Sequence, residues 1–231
     1  MTAQTQSAEL QFSQALCARM CHDLLGPAGA INMGLEFLGD DAANDAEALE
    51  LVAASARQLK ARLLFFRVAF GPSDGRGAVS FSEAQAIADG FLGSGRVRLR
   101  WMGMTETEAE DVPACFSNFV RLVLCLAMVS TEALPRGGEL VIDINRSGDH
   151  SFARLTARGA GLRVSNEARR VLSMAHADGL TARRFHVHYA RHLASKLGAR
   201  IQLMDPDADQ FILDVELADP EAPARIATDV C

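Results

Sequence analysis

The sequence predicts an α+β protein in two parts: an N-terminal hairpin of two long helices, then a sheet with helices on one face. Three observations carry this. Apolar residues recur at three- and four-residue steps from Leu49 to Phe70, the period of packed helices. A dense cluster of breakers, GPSDGRG at 71–77, follows. Beyond it, alternating runs such as RVRLRW (96–101) and FILDVEL (211–217) read as half-buried strands set among helical stretches.

Taken in order, the first helix covers 7–38, and the polar GDDAAND (39–45) turns the chain. Asn44, with Glu47 three residues on, predicts a capping-box start for the second helix. In that helix Leu49, Val52, Ala56, Leu59, Leu63, Phe66 and Phe70 form an unbroken heptad seam. A hairpin of two helices cannot cover its own apolar face, so two chains are expected to pair as a homodimer with a four-helix bundle. The expected divisions are 1–72, 78–222 and a tail at 223–231. In the second part, 81–92 reads as a helix capped by Ser80, 96–101 as a strand and 111–134 as a long helix. Strands follow at 139–144 and 151–157, then a helix at 180–197 ended by Gly198. The last two strands, 200–204 and 211–217, are split by the turn DPDAD.

Composition narrows the function classes. Of 231 residues, 49% are hydrophobic and 23% charged, as in an ordinary globular protein. A net charge of −6 argues against a nucleic-acid binder, which needs a basic excess. The apolar run LVLCLAMV (122–129) is less than half of the roughly 20 residues that span a bilayer, and no secretory-signal pattern opens the chain. No membrane association is expected. Five cysteines without framework spacing point to a reducing, cytoplasmic setting.

The candidate chemistry centres on RMCHDLLGPAGAI (19–31). On a wheel of about 100° per residue, Met20, Leu24, Ile31, Leu35 and Leu38 share a face, and His22 points away from it. Its neighbours on the outer face, Ala15, Ala18, Gly26 and Gly29, are small. An exposed imidazole, with its ordinary pKa of about 6.5, is largely neutral at neutral pH and offers a free ring nitrogen as nucleophile. Asp23 can orient the ring, and Arg19, one turn earlier, can help hold a phosphoryl group. The competing reading is an incidental surface histidine between solvated charges. Pro27 deletes a backbone donor just beyond the site.

Other constellations are weaker. His188 and His192 have metal-ligand spacing but no zinc-protease glutamate between them and no third ligand, so no metal is expected. Cys17 and Cys21, on the flank of the apolar face, read as small core residues. Arg96, Arg98 and Arg100 read as a solvated edge rather than an anion site. GFLGSG (90–95) precedes a strand instead of following one, which excludes a dinucleotide fingerprint.

A helix bearing His-Asp with a proline beyond it, then a second helix and an α+β domain, resembles the dimerisation and ATP-binding modules of sensor histidine kinases. More narrowly, the stretches at 16–38, LAMVSTEALPRGG (126–138) and GLTARRFHVHYARHLASKLGARIQL (179–203) resemble ChpT-type histidine phosphotransferases of alphaproteobacteria. The resemblance implies a dimeric four-helix bundle and a degenerate, Bergerat-like kinase ATPase sandwich. It departs from the kinases where they hold nucleotide. Val129 stands in place of the magnesium-binding asparagine, Ala157 in place of the adenine-reading aspartate, and no glycine-rich lid precedes FHVHYARHLA. No ATP is expected on this chain.

The resemblance further implies a phosphorelay intermediate with His22 as phosphoacceptor and Asp23 and Arg19 in support. Ala15, Ala18, Leu25, Gly26 and Gly29 would face the partner, a receiver domain that carries the Mg²⁺. The donor implied is the receiver of a CckA-like hybrid kinase, and the acceptors are CtrA-like and CpdR-like response regulators. The alternative is a non-catalytic scaffold that binds receivers or kinases; a true kinase with unusual nucleotide binding ranks below it.

Overall fold

The computed structural model describes residues 3–38, 42–71, 80–93, 95–103, 114–147, 150–173 and 184–217. Within them lie six helices and five strands. Helices α1 (Ala3–Glu36) and α2 (Ala42–Phe70) form the antiparallel hairpin, and α1 runs through Pro27 without a break. Because α2 begins at Ala42, Asn44 lies in its first turn and is not the residue that caps it. The glycine-rich boundary at 72–77 and the tail at 223–231 lie outside the described residues.

Close approach of the two helices depends on Gly34. A Cβ there would stand 2.7 Å from Val52 Cγ2 and 3.1 Å from the Ala48 carbonyl. Val is stiff at χ1 and the carbonyl belongs to the α2 ladder, so neither yields easily.

The remaining elements are α3 (Phe81–Phe91), β1 (Val97–Gly103), α4 (Ala114–Glu132), β2 (Gly138–Ser147) and β3 (His150–Arg158). After them come α5 (Asn166–Ser173), α6 (Phe185–Leu197), β4 (Arg200–Asp207) and β5 (Gln210–Leu217). Ser80 caps α3 as expected, its hydroxyl accepting from the Glu83 N–H at 3.2 Å. Gly198 closes α6 in the left-handed region (φ 70°), where a Cβ is penalised. The sheet order is β1-β2-β3-β5-β4. Strand β1 runs parallel to β2, with Val97 opposite Gly138, and every other pair is antiparallel.

One sheet face is apolar by strict alternation. Leu140, Ile142 and Ile144 of β2, Ala153, Leu155 and Ala157 of β3, and Phe211, Leu213 and Val215 of β5 are all buried. That face packs on α4, whose residues 119–130 are buried all round. The opposite face is polar and carries the bidentate Arg154–Asp214 pair, 2.7 Å at each contact. Helices on one face of the sheet are what the sequence predicts. Helix α5 is not among its predictions, although Ala168, Val171 and Leu172 make a buried stripe and Ser165 caps it by accepting from the Ala168 N–H at 3.1 Å. Of the last long helix, expected at 180–197, the described part runs Phe185–Leu197, and 180–183 lie outside the described residues.

The heptad seam of α2 divides in two. Leu49, Ala56 and Leu63 are exposed, whereas Phe66 is buried and Phe70 half-buried inside the chain's own core. The reason is that the last turns of α2 leave the hairpin and lie against the second part. Phe65 and Phe66 meet Phe91 of α3, with ring centroids 4.7 and 5.7 Å apart, and Phe70 meets Phe185 and Tyr189 of α6.

The end of α2 is capped by a cation from α4. The buried Arg121 donates from Nε to the Val68 carbonyl at 2.9 Å and from Nη2 to the Gly71 carbonyl. These are carbonyls at the end of a helix, where a positive charge also suits the macrodipole. Arg121→Met is expected to destabilise the protein by about 2 kcal/mol, the scale of a charged hydrogen bond lost with its buried acceptors unsatisfied. A urea midpoint equal to wild type would contradict this.

Candidate phosphoacceptor site

The site lies on the outer face of α1, midway along the helix. The His22 side chain is 85% exposed and Asp23 beside it only 13%. His22 Nδ1 lies 3.0 Å from Asp23 Oδ1. A carboxylate only accepts, so Nδ1 is the donor in this contact, and Nε2 is the ring nitrogen that Asp23 does not engage. The second carboxylate oxygen of Asp23 accepts from Arg19 Nε at 2.7 Å. Arg19 is itself 15% exposed, and its Nη2 donates to Glu132 Oε1, 2.9 Å away at the end of α4. Glu132 Oε2 in turn lies 3.1 Å from Nε2 of His186, a residue of α6 only 1% exposed.

The electrostatics follow the same line. Partial desolvation alone would raise the Glu132 pKa, but the His186 ring and the Arg19 guanidinium beside it hold the carboxyl below the usual range. For Arg19, desolvation is outweighed by Glu132 and Asp23, and its pKa is raised. The guanidinium therefore bridges two carboxylates, one on its own helix and one from the second part of the chain.

The expected site residues are placed unevenly. His22 and Asp23 are brought together as expected, and Arg19 lies beside them, but it is largely buried and bound to Asp23 and Glu132 where the sequence suggested a group that holds a phosphoryl. Ala18, Leu25, Gly26 and Gly29 are exposed around the ring, Leu25 at 69%. Ala15 is a correction: it is buried and offers no surface to a partner, because α1 there turns that side toward the rest of the chain. A Cβ placed on Gly26 or Gly29 would meet nothing within 4 Å, so neither glycine serves packing inside this chain. Cys17 and Cys21 are a second correction, being exposed rather than core residues. Glu132 and His186 were not anticipated, since no local pattern marks a contact spanning 113 residues.

The metal-spacing pair does not converge. His188 is buried, 3.7 Å from Glu167, and burial pushes its imidazole below the ordinary value. His192 is exposed and packs on Phe12, ring centroids 5.9 Å apart. Among the described residues no three His, Cys, Asp or Glu side chains gather as metal ligands, and no helix is long and apolar enough to cross a membrane.

Val129 and Ala157, the two positions that the sequence resemblance sets against the kinases' nucleotide-holding residues, are both buried and apolar. A cavity of about 130 Å³ is lined by Val129, Glu132, Ser165, Arg163 and Arg184 among others. Arg184 is already engaged by Glu167 at 2.9 Å and by the Ser165 hydroxyl.

Comparison with known proteins bears on the site as a whole. The histidine phosphotransferase C-terminal domain matches residues 81–209. Protein phosphotransferase ChpT of Brucella abortus (strain 2308) is 31% identical over 196 residues, covering 84% of this chain and 90% of that protein. The 1.7 Å structure of a bacterial phosphotransferase superposes with a TM-score of 0.75 at 29% identity, over 93% of this chain and 97% of the other. The domain match covers more than half of the sequence, and both relatives extend the likeness over most of the chain: this chain belongs to the histidine phosphotransferase family.

Proposed function

We propose that this protein is a phosphorelay intermediate in which His22 takes a phosphoryl group from the aspartyl phosphate of one receiver domain and passes it to the aspartate of another. The observation that carries the reading is an exposed imidazole whose Nδ1 is held by Asp23 and whose Nε2 Asp23 does not engage. In the transfer, the Nε2 lone pair attacks phosphorus in line, the P–N bond forms, and the P–O bond to the donor aspartate breaks with its electron pair returning to that carboxylate. Positive charge develops on the imidazole, and Asp23, already bonded to Nδ1–H, stabilises it. The reverse step regenerates the neutral ring. Mg²⁺ belongs to the receiver, and positioning with charge neutralisation supplies most of the rate.

The donor is proposed to be a CckA-like hybrid kinase receiver and the acceptors CtrA-like and CpdR-like regulators, in the cytoplasm. Support for an ATP-free second part comes from the apolar residues at the two nucleotide-reading positions. Support for a homodimer comes from the exposed Leu10, Leu35, Leu49 and Leu63 along the hairpin. A solution mass of a single 24.8 kDa chain would contradict the dimer.

The decisive experiment offers the protein a radiolabelled, phosphorylated receiver, with Mg²⁺-ATP alone as a second lane. Acid-labile, alkali-stable label arriving from the receiver alone is expected. Intact receiver binding without label would make the protein a scaffold, and label from ATP alone would make it a kinase.

The glycines beside His22 allow a two-sided test of the docking face. A helix-interior glycine costs about 1 kcal/mol relative to alanine, and nothing in this chain requires it at residue 29. Gly29→Ala is therefore expected to raise stability by about 1 kcal/mol. Gly29→Phe should fold equally well yet weaken receiver binding by about 10-fold, or 1.4 kcal/mol. Unchanged transfer kinetics in the phenylalanine variant would place the receiver elsewhere.

A further inference from the structure

We infer that Glu132, at the end of α4, is a positioning residue for His22, acting through Arg19 and Asp23. The inference rests on the reading of His22 as phosphoacceptor and assigns the second part of the chain a role in that chemistry. The contacts run without a gap from α6 through α4 to α1. His186 Nε2 lies 3.1 Å from Glu132 Oε2, Glu132 Oε1 accepts from Arg19 Nη2 at 2.9 Å, Arg19 Nε donates to Asp23 Oδ2 at 2.7 Å, and Asp23 Oδ1 accepts from His22 Nδ1 at 3.0 Å. Asp23 is held at both oxygens, by Arg19 and by His22, so it cannot rotate without losing a partner, and Glu132 accepts from Arg19 at Oε1 with the His186 ring beside its Oε2.

Two features argue that this arrangement does not serve helix stability. A carboxylate in the last turn of a helix opposes the macrodipole, and the last turn of α4 holds no basic residue to compensate. Arg19 stands four residues before Asp23, and an i,i+4 ion pair with the cation first is the less favourable order in a helix. Both residues are instead placed where they fix the next group in the line. The ring of His22 is otherwise exposed, so its tautomer and orientation depend on Asp23. Asp23 in turn is held by a guanidinium that the second part of the chain secures.

The test uses the full-length protein with Glu132→Ala and, as an isosteric control for folding, Glu132→Gln. Long-range ¹H–¹⁵N NMR of the His22 imidazole reads its tautomer directly. Wild type is expected to show a single tautomer protonated at Nδ1, and both variants a mixture, larger in Glu132→Ala. Transfer from a phosphorylated receiver should slow by about 10-fold in Glu132→Ala, with the KM for the receiver unchanged. In an Asp23→Asn background the same substitution should cost nothing further, since the line is already cut. An unaltered tautomer with unaltered rate, or a full loss repeated on top of Asp23→Asn, would overturn the assignment. If wild type itself takes no label, the phosphoacceptor reading fails, while the tautomer comparison still decides whether Glu132 positions the ring.

Discussion

His22→Ala is expected to abolish phosphoryl acceptance, a loss of about 10³-fold or more, while leaving the protein as stable as wild type. The two halves of this expectation come from the same geometry. The ring is 85% exposed and meets Asp23 at its base, so its removal opens no cavity and should change stability by no more than about 0.5 kcal/mol. Alanine is also the better helix former, which offsets the lost contact with Asp23. The nucleophile, by contrast, has no substitute nearby. Cys17 and Cys21 are exposed on the same helix, but a thiophosphate would differ from phosphohistidine in its acid and alkali lability. The measurement is therefore label transfer from a phosphorylated receiver, with thermal unfolding of each variant beside it. Acid-labile label persisting on His22→Ala would mean that the acceptor lies elsewhere. Loss of label accompanied by a lower unfolding midpoint would mean that the ring serves the fold.

How far this site could be read from the sequence depends on distance along the chain. The outward direction of His22 follows from helical periodicity alone: Met20, Leu24 and Ile31 on the opposite face are half-buried, although Leu35 on that face is exposed. The same wheel fails at Ala15, which shares His22's side yet is buried, since helix geometry does not say what lies beside a helix. The strands were legible because one face of the sheet is buried and the other open, which imposes alternation on β3 and β5. Helix α5 was hidden by its shortness: eight residues give two turns, too few for a stripe of three apolar residues to stand out. Glu132 had no sequence signal at all. It contacts Arg19 across 113 residues, and a glutamate ending an apolar helix reads as an ordinary solvated terminus. The α2 seam shows the limit in another form. Its heptad is continuous from Leu49 to Phe70, but the burial partner changes along it, and periodicity does not distinguish a partner chain from the chain's own core.

That change of partner leads to the largest stability effect expected here. Phe65→Ala should destabilise the protein by about 3–5 kcal/mol, the range for a fully buried aromatic ring reduced to alanine. Phe65 belongs to the hairpin by sequence, yet its side chain has no exposed surface and its ring packs 4.7 Å from that of Phe91 in α3. With Arg121 binding the carbonyls at the end of the same helix, the hairpin and the sheet share one core. They should therefore unfold together. The single tryptophan makes this testable. Trp101 lies in β1, far along the chain from Phe65, donating its N–H to Asp89 at 3.0 Å and packing edge-on against Phe81. Its fluorescence reports the second part, whereas just over half of the described helical residues behind the far-UV circular dichroism belong to the two long helices. In urea the two signals are expected to coincide in wild type and to shift together, by the same amount, in Phe65→Ala. Were the hairpin an independent unit ending at residue 72, the substitution would move the dichroism transition and leave that of Trp101 in place. Coincident transitions would also explain how a contact made at the end of α4 can hold a side chain on α1: a single cooperative core gives Glu132 a fixed place from which to act.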